Sequence, residues 1–241
     1  MKLKSYGVFL AALVLLLSGC TQRYAFKIDA IADGQVAGGN SFYLVSGNPD
    51  MKENDLRFRE GAQYVATALE GKGYTHARDI ATADMLIEVS FSVGEPKDVV
   101  NVNRYPETYW SPGMAFSVSV PVYDSSGLIV AYRSRMVYRP PRSYTYWEDH
   151  IDTSTVFRKE LTLTAYDNRL GASVKDPKQL WSVTVSNIDY SENLRAYLPY
   201  LVAASLPYIG EDTGSQVFMY LDKDDPQAAF IRNPDGTPAS S

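Results

Sequence analysis

The chain has 241 residues, of which 45% are hydrophobic and 21% are charged, and its formal net charge is −5. This composition is typical of a globular protein, and the acidic balance argues against nucleic-acid binding, which needs a basic surface. Cys20 is the single cysteine, so no disulfide can form within the chain.

The N-terminus has the pattern of a secretory signal. Lys2 and Lys4 precede an apolar run from Tyr6 to Leu17, and a charged start followed by about a dozen apolar residues is typical of such signals. The run is too short for a spanning helix, which needs about 20 apolar residues. We therefore expect residues 1–19 to be removed as a signal peptide.

The segment Leu17-Ser18-Gly19-Cys20 resembles a bacterial lipobox, in which the cysteine thiol receives a diacylglyceryl group before the leader is cleaved. Cys20 is thus the predicted lipidation site, and residues 20–23 would form a membrane-anchored N-terminus. Two or three acyl chains anchor stably where one does not. Thr21 stands where inner-membrane lipoproteins carry Asp, so we expect an outer-membrane location facing the periplasm.

The first half of the mature chain predicts a strand–helix–strand unit. Apolar positions recur at helical spacing between about Asn54 and Glu70, and Gly61 inside this helix indicates close packing. A strand before and a strand after the helix imply a right-handed parallel crossover. The predicted strands are Tyr24–Ala30, Ser41–Ser46 and Met85–Val93, and the apolar helix face is Phe58, Ala62, Val65 and Leu69.

The second half predicts two hairpins and a closing helix. Residues 94–112 contain three prolines and are predicted to be irregular, and Pro140-Pro141 is expected to end the first hairpin. Pro199 predicts a kink near Arg195 or a new helix start. The predicted hairpin strands are Met114–Tyr123 with Leu128–Tyr138 and Phe157–Tyr166 with Leu180–Ile188; a helix after Ser191 and a short strand Val217–Leu221 follow.

The predicted fold class is α+β, with a mixed sheet, a strand–helix–strand unit, two later β-hairpins and a closing helix. One domain is expected over residues 24–221, with an aromatic-rich insertion around 94–150. Residues 222–241 are polar, contain three prolines and are predicted to be a flexible tail.

The predicted domain carries a series of short motifs, namely Asp55-Leu-Arg-Phe-Arg-Glu60, Gly73-Tyr74, Ala83-Asp84, Tyr166-Asp167, Leu180-Trp181, Asn193-Leu-Arg195 and Pro199-Tyr-Leu-Val-Ala-Ala204. These motifs resemble those of bacterial lipoproteins of unknown function, and more loosely those of family 4136 of the domains of unknown function. The resemblance implies the fold and the compartment, and it brings no catalytic residues.

The sequence contains no recognisable catalytic motif. It lacks the Gly-x-Ser-x-Gly elbow and the Gly-x-x-x-x-Gly-Lys-Ser/Thr phosphate loop, and we predict no catalytic residue, no cofactor and no metal. The segment 148–152 surrounds His150 with three carboxylates, which would suit an oxygen-rich cation site. We interpret it as a solvated acidic loop, because neighbouring side chains in one loop rarely converge.

The most distinctive feature is a concentration of aromatic and basic residues in one third of the chain. Tyr, Trp and Arg are enriched at binding hot spots, although cross-strand aromatic pairs also stabilise hairpins without binding anything. Both interpretations stay open on sequence alone. The candidate binding residues are Arg104, Tyr105, Tyr109, Trp110, Arg139, Arg142, Tyr144, Tyr146 and Trp147.

These observations favour a lipid-anchored envelope lipoprotein that acts as a non-enzymatic binding or assembly factor. The expected partners are the membrane, through Cys20, and an envelope protein or anionic glycan. The alternatives are a hydrolase or metal-dependent enzyme acting on envelope glycan or lipid, and a purely structural lipoprotein.

Overall fold

The computed structural model describes residues 22–34, 39–169 and 177–234, which form two compact units. The second unit is Asp98–Ser154, and the first contains the described residues on either side of it. The predicted insertion around 94–150 and the second unit thus have most of their residues in common. Cys20, the signal segment and residues 235–241 lie outside the described residues.

The first unit is built on a mixed sheet. Its strands are β1 (Arg23–Ala32), β2 (Ser41–Ser46), β3 (Thr75–His76), β4 (Met85–Val93), the last part of β8 (Arg142–Asp167), β9 (Gln179–Asp189) and β10 (Val217–Asp222). They lie in the order β10–β1–β9–β8–β4–β2–β3. The neighbours β2 and β4 are parallel, whereas β8 is antiparallel to β4 and β9, so the predicted α+β class and mixed sheet are confirmed.

Three α-helices accompany this sheet: α1 (Leu56–Gly71), α2 (Leu194–Ser205) and α3 (Pro226–Arg232). An acidic or amide side chain caps each helix: Asp55 accepts from the amide of Arg57, and Asn193 accepts from that of Ala196. Such caps satisfy amides that have no partner within the helix. The helix α1 connects the parallel strands β2 and β4, as the crossover prediction requires.

The core alternates along the strands with a period of two residues. In β4, Met85, Ile87, Val89 and Phe91 are buried, whereas the residues between them are partly exposed. This pattern is expected when one face of a sheet is covered and the other is solvated.

The predicted core face of α1 is confirmed at Phe58, Val65 and Leu69, which are buried; Ala62 packs against the core while partly exposed. Gly61 lies so close to the sheet that an added Cβ would be 2.5 Å from Cε1 of Phe91. The close packing that the sequence indicated at this glycine is therefore present.

One prediction near the C-terminus is wrong, and one of the two alternatives for Pro199 is excluded. Residues 226–232 form α3, with Ala228 and Ile231 buried, so this part of the predicted tail is folded. The helix α2 continues through Pro199 and does not start there; Pro199 is itself buried.

The second unit consists of strands: most of β5 (Lys97–Ser111), β6 (Met114–Tyr123), β7 (Ile129–Arg139) and the first part of β8. The predicted hairpin of β6 and β7 around Asp124–Gly127 is present. Two predictions are wrong here, because residues 97–111 form a strand despite Pro106 and residues 148–152 are part of β8 and not a loop.

Across the described ranges, no helix is long and apolar enough to span a membrane.

Candidate binding site: the two-stranded ribbon

The second unit is one long antiparallel pair of strands, which we call the ribbon (residues 98–154). In β6 and β7, Met114 lies opposite Arg139. In β5 and β8, side-chain hydrogen bonds join Arg104 to Asp149 and Thr108 to Thr145. The two residue numbers of each pair have the same sum as those of Met114 and Arg139. The same cross-strand alignment therefore continues along the whole ribbon. Pro140-Pro141 interrupts the strand but does not end the pairing, although the sequence predicted that it would.

Each edge of the ribbon is about 25 residues long. At a rise of about 3.3 Å per residue, its contour length is roughly 80 Å. Within the described residues, β6 and β7 form a two-stranded sheet, and β5 pairs with β8 alone. The ribbon therefore has two broad faces and no second layer of its own against which to bury side chains.

Side chains alternate between the two faces along each strand. The cross-strand alignment and this alternation place tyrosines on one face, which we call the tyrosine face, and most arginines with two tryptophans on the other, the arginine face. The tyrosine face carries Tyr105, Tyr109, Tyr132, Tyr138, Tyr144 and Tyr146. The arginine face carries Arg104, Trp110, Phe116, Arg133, Arg135, Arg139 and Trp147.

All nine candidate binding residues lie on this ribbon and all are exposed. Trp110 and Trp147 are 62% and 63% exposed, and both belong to the arginine face. Arg142 lies among the tyrosines on the opposite face. The candidates therefore form two distinct surfaces, and their rings are not part of a buried core.

Two contacts order the arginine face. The Arg104 guanidinium donates to both carboxylate oxygens of Asp149, at 2.6 and 3.2 Å, and this hydrogen bonding lowers the pKa of the Asp149 carboxyl below its ordinary value. The Arg139 guanidinium lies over the ring of Phe116, 5.5 Å from its centroid. The side chains of Arg104 and Asp149 remain largely exposed, so their ion pair orients the surface more than it stabilises the fold.

The segment around His150 has a different arrangement from the predicted loop. Because it is a strand, Asp149 points to the arginine face while Glu148 and His150 point to the tyrosine face. There Glu107 of β5 joins them, and ligand atoms of Glu107, Glu148 and His150 lie within 4.8 Å of one another. The ring of Tyr105 meets the His150 imidazole edge to face at 5.3 Å.

Two carboxylates and one imidazole are suitable ligands for Zn²⁺ or a similar cation, and these three would supply three coordination positions. All three are exposed. Sequence analysis missed Glu107 because its proximity depends on pairing between segments more than forty residues apart. Glu148 and His150 are two residues apart in the sequence, and this spacing places both side chains on the same face only if the segment is a strand.

The first unit contains a separate cavity of about 460 Å³, lined by residues that include Asp33, Lys72, Tyr74 and Trp181. The Lys72 ammonium donates to the carbonyl oxygens of Leu206 and Ile209, at 2.8 and 3.2 Å. Burial lowers the pKa of Lys72 below its ordinary value. Its amine nevertheless already donates to carbonyl groups of the turn that follows α2, so it is poorly placed to act as a nucleophile.

The fold and the ribbon define a class of protein: an α+β domain whose mixed sheet carries a long, exposed two-stranded insertion. The family model described as Domain of unknown function (DUF4136) matches residues 27–207. The chain belongs to this family, which confirms the family resemblance of the sequence motifs.

A search of curated proteins found no match. The crystal structure of a PDZ domain protein from Parabacteroides distasonis is similar, with a TM-score of 0.40 and 13% sequence identity, over 89% of this chain and 42% of that one. The chain thus spans less than half of that protein, and a similarity of this size carries no argument about function.

Proposed function

We propose that this protein is a lipid-anchored envelope lipoprotein that faces the periplasm and binds its partner through the ribbon, without catalysing a reaction. Cys20 would carry the lipid in the outer membrane, and the aromatic and arginine side chains of residues 98–154 would form the contact surface. The function is that of a binding or assembly factor.

The observation that carries this proposal is the exposure of large apolar and aromatic side chains along the whole ribbon. Soluble proteins rarely leave extended apolar surfaces open unless those surfaces bind something. Tyr105, Trp110, Tyr132 and Trp147 are each at least half exposed. Rigid aromatic rings provide contact area at a low cost in conformational entropy.

The arginines favour an acidic partner. The chain as a whole is acidic, but Arg133, Arg135 and Arg139 alternate along one strand of the arginine face. The guanidinium group presents several directional donors that fit carboxylates and phosphates. Carboxylates of an envelope protein or an anionic glycan would therefore be favoured, and the association should weaken as salt increases.

The proposal is tested by changing Trp110 and Trp147 to Ala singly and comparing partner capture from detergent-solubilised envelopes. Phe218→Ala is the matched control, since Phe218 is 67% exposed but lies on β10 in the first unit. We expect both Trp variants to lose the partner, with unfolding midpoints unchanged. Retention of the same partner by both variants, and by Arg139→Ala with Arg142→Ala, would contradict the proposed surface.

The anchor is tested separately at Cys20. We expect Cys20→Ser to abolish acyl labelling and leave an unprocessed precursor, because the thiol is the lipid acceptor. A conservative change elsewhere in the leader, Ser5→Thr, should process normally. A Cys20→Ser chain that matures and partitions into membranes like the wild type would refute the lipoprotein assignment.

A metal-dependent envelope hydrolase is the second candidate, and the convergence of Glu107, Glu148 and His150 is the observation in its favour. The three side chains are exposed to solvent, so a substrate bound to them would not be shielded from water, and binding is the better supported function. Elemental analysis of the purified protein separates the two candidates. A stoichiometric metal in the wild type that is lost in His150→Ala would favour the enzyme.

A further inference from the structure

We infer that the ribbon pairs with the ribbon of a second copy of this chain, edge to edge and antiparallel, through its β7–β8 edge. The two ribbons would then form a continuous four-stranded sheet with a two-fold axis near Pro140-Pro141. This inference concerns backbone pairing at an edge of the ribbon, whereas the proposed partner binds its faces. Arg133 and Arg135 contribute to both, so partner binding is judged on the two tryptophans.

A lone two-stranded pair is marginally stable in water, and three or more strands are needed for independent stability. The ribbon has strand pairing over its whole length, but the described residues supply no third strand beside it. Its outward backbone amides and carbonyls therefore form two long edges. An open edge of this kind is a template for pairing with another chain.

The two edges differ in a way that selects one of them. Along the β5–β6 edge, residues 114–123 carry no charge and residues 98–111 carry two acids and one arginine, so an antiparallel copy would meet no opposite charge. Along the β7–β8 edge, residues 129–139 carry three arginines and no acid, and residues 142–154 carry three acids and one arginine. The β7–β8 edge is therefore the one whose two arms have opposite charge, as an antiparallel second copy requires.

The charge of the ribbon identifies the second strand as another copy. Residues 112–141 carry three arginines and one aspartate, a net charge of +2, while residues 98–111 and 142–154 together carry five acids and two arginines, a net charge of −3. An antiparallel copy places the positive part of each ribbon along the negative part of the other. A parallel copy would place like charges together, which disfavours that arrangement.

A two-fold axis makes this complementarity occur twice. In an isologous interface, any contact from residue i to residue j is repeated from j to i. Arg133 and Asp149 are equally far from Pro141 along the chain and lie on the same face, so an axis at Pro141 sets each opposite the other. The Pro140-Pro141 break then lies at the axis, where its missing amides interrupt the fewest added hydrogen bonds.

The test uses two charge variants of the mature lipidated chain in detergent. The first variant, Arg133→Glu with Arg135→Glu, makes the positive arm acidic. The second, Glu148→Lys with Asp152→Lys, makes the negative arm basic and leaves the Arg104–Asp149 pair intact. Arg57→Glu with Arg59→Glu is the matched control, because these arginines are exposed on α1 in the first unit.

Sedimentation equilibrium measures the protein mass of each sample. We expect the wild type and the control to have twice the mass of one chain, each charge variant alone to have the mass of one chain, and their mixture to recover the double mass as a one-to-one dimer. Recovery on mixing also shows that both variants are folded. A wild type that remains a single chain at micromolar concentration would overturn the inference.

Charge variants that each dimerise as strongly as the wild type would also overturn it, because the interface would then lie elsewhere. Failure of the proposed partner surface gives a different result from failure of the dimer inference. If the partner surface is wrong, Trp110→Ala and Trp147→Ala would keep both the partner and the dimer, whereas failure of the inference alone leaves partner capture dependent on the two tryptophans.

Discussion

The buried ion pair of Lys159 provides a sharp test of the energetics of the first unit. The Lys159 side chain is completely buried, and its ammonium donates to Asp189 at 2.7 Å and to the carbonyl oxygen of Ser191 at 2.5 Å. It also lies 4.4 Å from the centroid of the Tyr197 ring. We predict that Lys159→Met, which keeps an unbranched side chain one atom shorter and removes its charge, destabilises the protein.

The size of the expected stability loss follows from the groups that remain after Lys159 is replaced. Removing one partner of a buried ion pair typically costs 3–5 kcal/mol, because the other charge remains without compensation. The Asp189 side chain is 25% exposed and keeps a hydrogen bond from the amide of Ser191, so water and backbone offset part of the loss. We therefore expect about 3 kcal/mol, or a fall in Tm of roughly 6–12 °C for a chain of this size.

The matched control is Lys178→Met. Lys178 also lies 2.7 Å from an aspartate, Asp33, but its side chain is 57% exposed, and exposed pairs contribute about 0–1 kcal/mol. Urea unfolding of both variants, monitored by circular dichroism, gives the two free energies. Equal losses for Lys159→Met and Lys178→Met would show that burial does not decide the strength of this pair and would refute the reasoning.

The same pair predicts a dependence on pH. Burial of Asp189 raises the pKa of its carboxyl, but hydrogen bonds from Lys159, Tyr197 and Ser191 outweigh this and hold the pKa below its ordinary value. The resulting stability is present above the unfolded-state pKa of about 3.9 and is lost as the pH falls through the folded-state pKa. The stability difference between the wild type and Lys159→Met should therefore shrink from pH 7 to pH 3; a constant difference would contradict this.

Two further substitutions test the packing of α1, both by urea midpoint. Leu69→Ala should lower the free energy of unfolding by about 2–5 kcal/mol, because Leu69 is fully buried. Arg59→Ala, on the exposed side of the helix, should change it by no more than about 0.5 kcal/mol. Equal effects would mean that the helix is wrongly oriented. Gly61→Ala should lower the free energy of unfolding by about 1–3 kcal/mol, because the added Cβ would overlap Phe91. Gly71→Ala is the control, since its Cβ would meet its nearest neighbour at an ordinary 3.5 Å. A stabilised Gly61→Ala would disprove the close approach.

Local patterns in the sequence determined the strand–helix–strand part of the first unit. The strands Ser41–Ser46 and Met85–Val93 have the bounds that their apolar patterns predicted, and the helix between them buries the predicted face. The parallel crossover followed from the order of these elements. In each case the signal lies within a few residues, because alternation along a strand and spacing along a helix are local properties.

The sequence also identified the candidate binding residues, but it could not say whether they were core or surface. Composition concentrates Trp, Tyr and Arg between residues 104 and 147, and this holds equally for a buried hairpin and for an exposed one. The absence of a second layer in the ribbon decides between them. The burial of a side chain depends on which residues pack against it in the folded chain, and a local sequence pattern does not specify them.

The tertiary structure alone decided the strand around Pro106. Pro106 and Pro112 favoured an irregular segment, yet β5 continues through Pro106 by pairing with β8, and Pro112 lies in the break between β5 and β6. The same long-range pairing turns residues 148–152 into a strand and brings Glu107 to His150.

The burial of Lys159 also could not be predicted from the sequence. Its neighbours on β8 alternate as in any half-buried strand, and nothing in that segment distinguishes it from an exposed lysine. Its environment comes from Asp189, Ser191 and Tyr197, some thirty residues further along the chain. A charge can be buried only where several distant groups compensate its lost hydration, and such a set exists only once the chain has folded.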